Sequence, residues 1–230
     1  MSDQSIKISL VSRSGTVASD VAVSTCIVAG WTGRDRVALE KHIVELEALG
    51  VKRPAATPIF YRVGKSRLTT SPAIEVVGEA SSGEVEYVLL QHRGKLWVGV
   101  GSDHTDREVE TYGVTVSKQL CDKPIAPAFW PVDEVEDHWD GLVLRSFIAV
   151  DGKRELYQEG ALAGMLGPRD LIGRYAGDQG LPEGAMMFCG TFAAMGGIRP
   201  APRFDFEIVD SVLGRKIQHG YNIISLPIAG

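Results

Sequence analysis

Cysteine is scarce in this chain. Cys26, Cys121 and Cys189 are the only three in 230 residues. They stand far apart and none belongs to a CxxC pair, which excludes a disulfide framework and a zinc knuckle and leaves three thiols for core positions. Long apolar runs are missing as well. The longest charge-free stretch near the N-terminus, residues 21–33, is too short to span a bilayer and too mixed for a signal-peptide core, so a cytoplasmic protein is expected. No basic block occurs: Lys and Arg total 24 against 29 Asp and Glu, for a formal net charge of −5. Nucleic acid and anionic membranes are therefore poor partners. Gly99-Val100-Gly101 lacks the third glycine of a dinucleotide fingerprint, and no GxSxG elbow is present, so neither a Rossmann cofactor site nor Ser-His-Asp hydrolysis has support.

What is present is an ordinary globular composition, 44% hydrophobic and 23% charged, at a length that suits one large domain. Strands are expected at 6–11 and 21–29, separated by a turn-rich segment at 12–20. The apolar positions Val37, Leu39, Ile43, Val44, Leu46 and Leu49 repeat at mostly helical spacing, which predicts a helix over 35–49, stopped by Gly50. Prolines at 54, 58 and 72 make 51–80 irregular or edge-like. Two strands, 84–91 and 96–103, flank the tight turn at Arg93-Gly94, and further strands are expected at 142–150, 186–189, 204–209 and 221–226. Strands outnumber helices. With 26 glycines and 11 prolines, the pattern reads as α+β, β-rich, in a roll. No repeat at a solenoid or propeller period is visible. The acidic run at 133–140, around His138, reads as a solvated loop, and His219 is given no role.

The hairpin carries the chemistry. If Arg93 and Gly94 form the loop, Glu84 faces Asp103 and Glu86 faces Gly101. Side chains alternate along a strand, so Glu84, Glu86 and Asp103 share one face. An isolated Glu-x-Glu is as compatible with a solvated hairpin face; the third carboxylate in register makes a like-charge cluster that needs neutralising. A hard cation such as Mg²⁺, Mn²⁺ or Ca²⁺ would do so. His104 points away from Asp103 at the strand end, and the strand glycines would leave room for a ligand.

At these residues the chain resembles the fumarylacetoacetate hydrolase superfamily, over most of its length after residue 30. Gly83-Glu84-Val85-Glu86 looks like the family's metal-binding strand, and Ser102-Asp103-His104-Thr105-Asp106-Arg107 resembles its Asn-Asp-x-Ser-x-Arg segment. Ser117-Lys118-Gln119, followed by Asp122 and Pro124, looks like the active-site lysine stretch. Asp151-Gly152 with Gln158 resembles the Asn-Gly-x-x-x-Gln pattern, two residues longer. Gly190-Thr191 looks like a Gly-Thr-Pro loop in which Phe192 replaces the proline. His42-Ile43-Val44-Glu45 is similar to the His-x-x-Glu dyad of a mobile lid, without the Asn-Tyr that precedes it. Trp31-Thr32-Gly33-Arg34-Asp35 stands there instead. Pro58-Ile59-Phe60-Tyr61-Arg62 resembles a Pro-x-x-Phe-x-Lys strand, with Arg62 for the lysine.

The resemblance implies a mixed β-sandwich roll of the fumarylacetoacetate hydrolase C-terminal-domain type over 56–230, with 1–55 supplying small strands and a lid-like helix to the same unit. It implies Mg²⁺ (or Mn²⁺ or Ca²⁺) on Glu84, Glu86 and Asp103. It further implies catalytic roles for His42, Glu45 and Lys118, and substrate contacts from Arg62, Arg107, Gln158, Gly190 and Thr191. The expected activity is hydrolysis of a C–C bond in a small oxo- or dioxo-carboxylic acid, in a homodimer of a distinct branch. Decarboxylation, hydration, dehydration or isomerisation would use the same scaffold. The alternative from another class is a non-catalytic binding or assembly protein that keeps the fold, with or without the metal as a structural staple.

Overall fold

A computed structural model describes residues 5–48 and 53–229. The chain starts with a hairpin, β1 (Ser5–Ser12) and β2 (Gly15–Ala22), paired from Ser5 opposite Ala22 to Ser12 opposite Gly15. Most of the segment expected to be turn-rich is thus a strand, and the turn itself is confined to Arg13 and Ser14. The reason lies in position. β2 is the outermost strand of its sheet, so polar side chains meet water while Ser19 and Val21 turn inward. The expected strand at 21–29 is split between the end of β2 and β3 (Thr25–Gly30).

Helix α1 (Arg36–Ala48) begins where expected. Asp35 caps it, accepting the backbone N–H groups of Val37 and Ala38. Ile43 is buried, whereas Val37 and Val44 are exposed. Residues 53–80 contain β4 (Ile59–Val63) and β5 (Ala73–Val77).

β6 (Val85–His92) and β7 (Lys95–Ser102) pair in the expected register, Glu86 opposite Gly101 and His92 opposite Lys95. Arg93 and Gly94 both have positive φ, 54° and 68°, the conformation that matches a two-residue loop to the twist of its strands. Two short helices follow, α2 (Arg107–Tyr112) and α3 (Val114–Leu120). Next come β8 (Ala128–Pro131), β9 (Val143–Val150) and β10 (Lys153–Ala161), the last a strand that the sequence reading did not mark. The chain then runs through α4 (Pro168–Ala176), β11 (Ala185–Phe188), β12 (Arg203–Asp210) and β13 (Arg215–Leu226).

The strands form an eight-stranded sheet, β2-β1-β8-β7-β6-β11-β3-β4, and a five-stranded sheet, β10-β9-β12-β13-β5. One core lies between them, with Val85, Tyr87, Leu89, Val98 and Val100 meeting Leu144, Ile148, Phe204, Phe206 and Tyr221. The other face of the larger sheet buries Cys26, Val28, Val88, Leu90, Phe129 and Phe188 with Ile6, Ile8 and Leu10. That sheet curls on itself. Ser19 of β2 and His92 of β6, four places apart in the strand order, share a 2.9 Å hydrogen bond, and the other ring nitrogen of His92 lies 3.1 Å from Glu183. The β-rich roll inferred from composition is therefore the observed architecture.

All three cysteines are buried and unpaired. Burial pushes Cys26 up to about 12 and Cys121 up to about 11, which keeps both thiols protonated and unreactive. The acidic run forms short 3₁₀ turns, Val132–Glu134 and Glu136–Gly141, that bury Val135 and Trp139. Three of its carboxylates are paired, Glu134 with Arg215, Glu136 with Arg169 and Asp140 with Arg34.

Candidate metal centre

The open end of the β6/β7 hairpin builds the site. Glu84 immediately precedes β6, Glu86 lies within it, and Asp103 immediately follows β7. The Asp103 N–H donates to the Glu84 carbonyl at 3.0 Å, extending the pairing by one step. Ligand oxygens of Glu84, Glu86 and Asp103 all lie within 4.8 Å of one another. Among the described residues this is the only such group of His, Cys, Asp and Glu. Asp103 is fully buried, Glu86 is 2% exposed, and the Glu84 side chain remains partly open at 18%. The strand glycines serve packing rather than ligand access. A Cβ on Gly101 would lie 2.8 Å from the Phe188 ring, and one on Gly99 would lie 2.7 Å from Phe129.

The protein supplies cations of its own. Lys118 of α3 bonds to Asp103 Oδ2 and sits 3.8 Å from Glu84 Oε2. Lys123, with no exposed surface, lies 3.2 Å from Asp103 Oδ1 and donates to the His104 carbonyl at 2.6 Å. Arg107 reaches Glu84 at 3.2 Å and Glu110 at 2.9 Å, and its Nε donates to Ser82. The like charges foreseen from the hairpin register are thus compensated by side chains, without requiring an ion. Burial raises the Asp103 pKa, but the two lysines outweigh it and hold the carboxyl below its usual range. Glu86 goes the other way. Burial, with Asp103 and Glu84 nearby, pushes it well above the usual range, against the pull of Lys118 and the Gly190 N–H.

A divalent ion fits the donor set. Three carboxylates supply hard oxygens of the kind Mg²⁺ and Mn²⁺ prefer. Asp103 Oδ1 is buried and, despite its ion pair with Lys123, accepts no well-formed hydrogen bond.

The structure distributes the remaining expected site residues unevenly. Lys118 and Arg107 are at the carboxylates. Gly190 is too: its N–H donates to Glu86 Oε2 at 2.7 Å, with φ at +97° and no room for a Cβ, which would fall against Thr32. Thr191 and Gln158 are braces. Thr191 Oγ1 bonds to the Val85 carbonyl. Gln158 accepts from Val85 N–H and Ser146 Oγ and donates to Thr191 Oγ1 and the Phe192 carbonyl, filling its capacity with protein partners. Phe192, in place of a proline, stacks against Gly160, where a Cβ would lie 2.5 Å from the ring.

Arg62 is not brought to the cluster. Alternation along β4 turns Tyr61 toward Lys118, whose Nζ is 5.9 Å from the ring centroid, and turns Arg62 to the opposite face beside Tyr175 and Thr25. Positions 42 and 45 lie on α1, and the side chains of His42 and Glu45 fall outside the described residues. Lys123 and Tyr61 went unmarked in the sequence. Lys123 stands between the quoted Asp122 and Pro124, and counting by twos from Phe60 would have separated Tyr61 from Arg62. His104, as foreseen, turns away from Asp103 and binds Tyr221 and Ser81.

A family model described as a protein of unknown function, DUF2848, matches residues 29–221. The chain belongs to this family. No curated protein matches it. Among solved structures, yeast ynq8, a fumarylacetoacetate hydrolase family protein, is 19% identical at a TM-score of 0.62, covering 90% of this chain and 95% of that one. 2-Keto-3-deoxy-D-arabinonate dehydratase complexed with magnesium and 2,5-dioxopentanoate is 16% identical at 0.64, covering 92% and 77%. Fumarylpyruvate hydrolase from Pseudomonas aeruginosa, in complex with Mn²⁺ and pyruvate, is 14% identical at 0.62, covering 96% and 97%. The DUF2848 chain thus has the fumarylacetoacetate hydrolase fold.

Proposed function

We propose that this DUF2848 protein is a divalent-metal-dependent enzyme that breaks a C–C bond in a small oxo- or dioxo-carboxylic acid by hydrolysis. The observation that carries this reading is the convergence of Glu84, Glu86 and Asp103 within 4.8 Å at the end of the hairpin. Its neighbourhood in the fold supports the reading. Two proteins of the same fold are complexes with a divalent ion and an oxo-acid, the dehydratase with magnesium and 2,5-dioxopentanoate and the hydrolase with Mn²⁺ and pyruvate.

In this reading Glu84, Glu86 and Asp103 hold Mg²⁺ or Mn²⁺. When bound, such an ion would act as a Lewis acid, drawing negative charge onto the substrate's carboxylate and keto oxygens. Lys118 adds a fixed positive charge beside the place where that negative charge develops. Arg107, anchored by Ser82 and Glu110, orients Glu84 at the partly open side of the cluster. Gly190 fixes Glu86 through its N–H, and Tyr61 bounds the space beside Lys118. His42, three residues before Glu45 in the α1 sequence, would take a proton from water as general base. A homodimer in the cytoplasm completes the proposal.

Calorimetry tests it. Metal-stripped protein should bind Mn²⁺ or Mg²⁺, more tightly when oxalate is present, and Glu86→Ala should abolish that binding while the fold persists. Folded wild-type protein that binds neither ion would remove the metal site and favour the non-catalytic alternative.

A further inference from the structure

Lys123 is the least expected member of the cluster. It is a lysine without exposed surface, placed behind Asp103 rather than at the open side, and its ammonium lies 3.2 Å from Asp103 Oδ1. Among the described residues, its other close polar partner is the His104 carbonyl, 2.6 Å away. Lys118 already meets the opposite Asp103 oxygen, so one carboxylate faces two ammonium groups. A single lysine would be enough to balance it. A second buried cation, costly to desolvate, changes the electrostatic character of whatever the cluster binds.

We propose that Lys123 sets the charge preference of this site, disfavouring the incoming divalent ion and favouring a doubly negative chelating anion once the ion is in place. This rests on the metal-site reading above and specifies its ligand class. A fixed positive charge one carboxylate away repels a dication and attracts an anion, and the effect on the anion doubles with its charge. Because Lys123 has no exposed surface, it acts on the ligand through the field rather than by touching it. Water and salt screen that field far less than they screen a surface charge. The ligand class that gains most carries two negative charges on adjacent oxygens: a 2-oxo acid as its enolate, or a dicarboxylate such as oxalate.

The charge account makes the two affinities move in opposite directions, which a merely structural lysine would not do. Metal-free wild type, Lys123→Met and Lys123→Gln are titrated with Mn²⁺; the manganese-saturated proteins are then titrated with oxalate and, separately, with pyruvate. Glutamine retains a donor for the His104 carbonyl, so it carries the test if methionine does not fold, and circular dichroism verifies each fold. Neutralising Lys123 should tighten Mn²⁺ on the order of tenfold, weaken oxalate on the order of tenfold, and weaken pyruvate by only about threefold. Loss of both Mn²⁺ and oxalate affinity, or no change in either, would overturn the assignment and leave Lys123 a structural prop. If wild type binds Mn²⁺ and the variants match it, only the role of Lys123 fails. If wild type binds no metal, the metal-site reading fails and this inference goes with it.

Discussion

Asp103→Asn is the substitution for which the structure makes its strongest energetic claim. Asparagine keeps the shape of the side chain and removes its charge. In the wild type that charge is fully buried, in contact with Lys118 on one oxygen and 3.2 Å from Lys123 on the other. Without it, two buried ammonium groups lose their principal counter-ion. Lys118 retains Glu84 at 3.8 Å, whereas among the described residues Lys123 retains only the carbonyl of His104. Breaking a buried pair from one side costs about 3–5 kcal/mol, and for a domain of this size each kcal/mol moves Tm by roughly 2–4 °C. A fall of roughly 10 °C in the metal-free protein is expected. Glu84→Gln is the control, because its carboxylate is partly exposed and its pair with Arg107 is shared with Glu110. It should cost about 1 kcal/mol. Asp103 is held below its ordinary 3.8, so its contribution is present above that value and is lost as pH falls through the lower, folded value. The Asp103→Asn penalty should therefore be level from pH 8 to 5. Urea titrations of both variants in EDTA would measure this. An Asp103→Asn protein within 1 kcal/mol of wild type would refute the claim that the lysines depend on this carboxylate.

Gly190→Ala should cost roughly 1–3 kcal/mol from backbone strain at φ +97° alone, with further loss as the new methyl displaces Thr32. It should also weaken Mn²⁺ uptake by freeing Glu86, which calorimetry on the folded variant would detect. Gly160→Ala should destabilise wild type by about 1–3 kcal/mol by pushing on the Phe192 ring; in a Phe192→Ala background the penalty should nearly vanish, and a double-mutant cycle in urea gives the coupling. Asp210 has a buried carboxylate that accepts from Val212 and Leu213 N–H and pairs with His138 and Arg215. Burial opposes its ionisation, but these partners prevail and hold it below 3.8. Asp210→Asn should cost about 2–4 kcal/mol at pH 7, and the gap from wild type should close as acid unfolding approaches below pH 4.

The hairpin was legible because it is local. Arg93-Gly94 fixes the turn, the turn fixes the register, and the register places Glu84, Glu86 and Asp103 together across fewer than two dozen residues. The helix at 36–48 and most later strands were readable for the same reason, through periodicity and punctuation. Errors gathered where the deciding neighbour is remote. The 15–22 strand looked like a turn because its polarity reflects an edge position, which only the strand order reveals. Gln158 looked available for substrate until β6, β9 and the 191–192 loop were seen to use its whole amide. Arg62 and Tyr61 differ by one step along a strand, and only the packing of β4 shows that Tyr61, not Arg62, faces Lys118.

By itself, then, the sequence determined the β-rich composition, the hairpin with its three convergent carboxylates, and the presence of Lys118 close behind them in the chain. Tertiary structure decided how those charges are balanced. Lys118 and Lys123 reach Asp103 from α3 and the segment after it, and Arg107 reaches Glu84 from α2. Compensation of buried charge depends on distances of three to four ångströms between groups on different elements. Spacing along the chain fixes which residues share a face of one strand or helix; only the packing of elements fixes which cation meets which carboxylate.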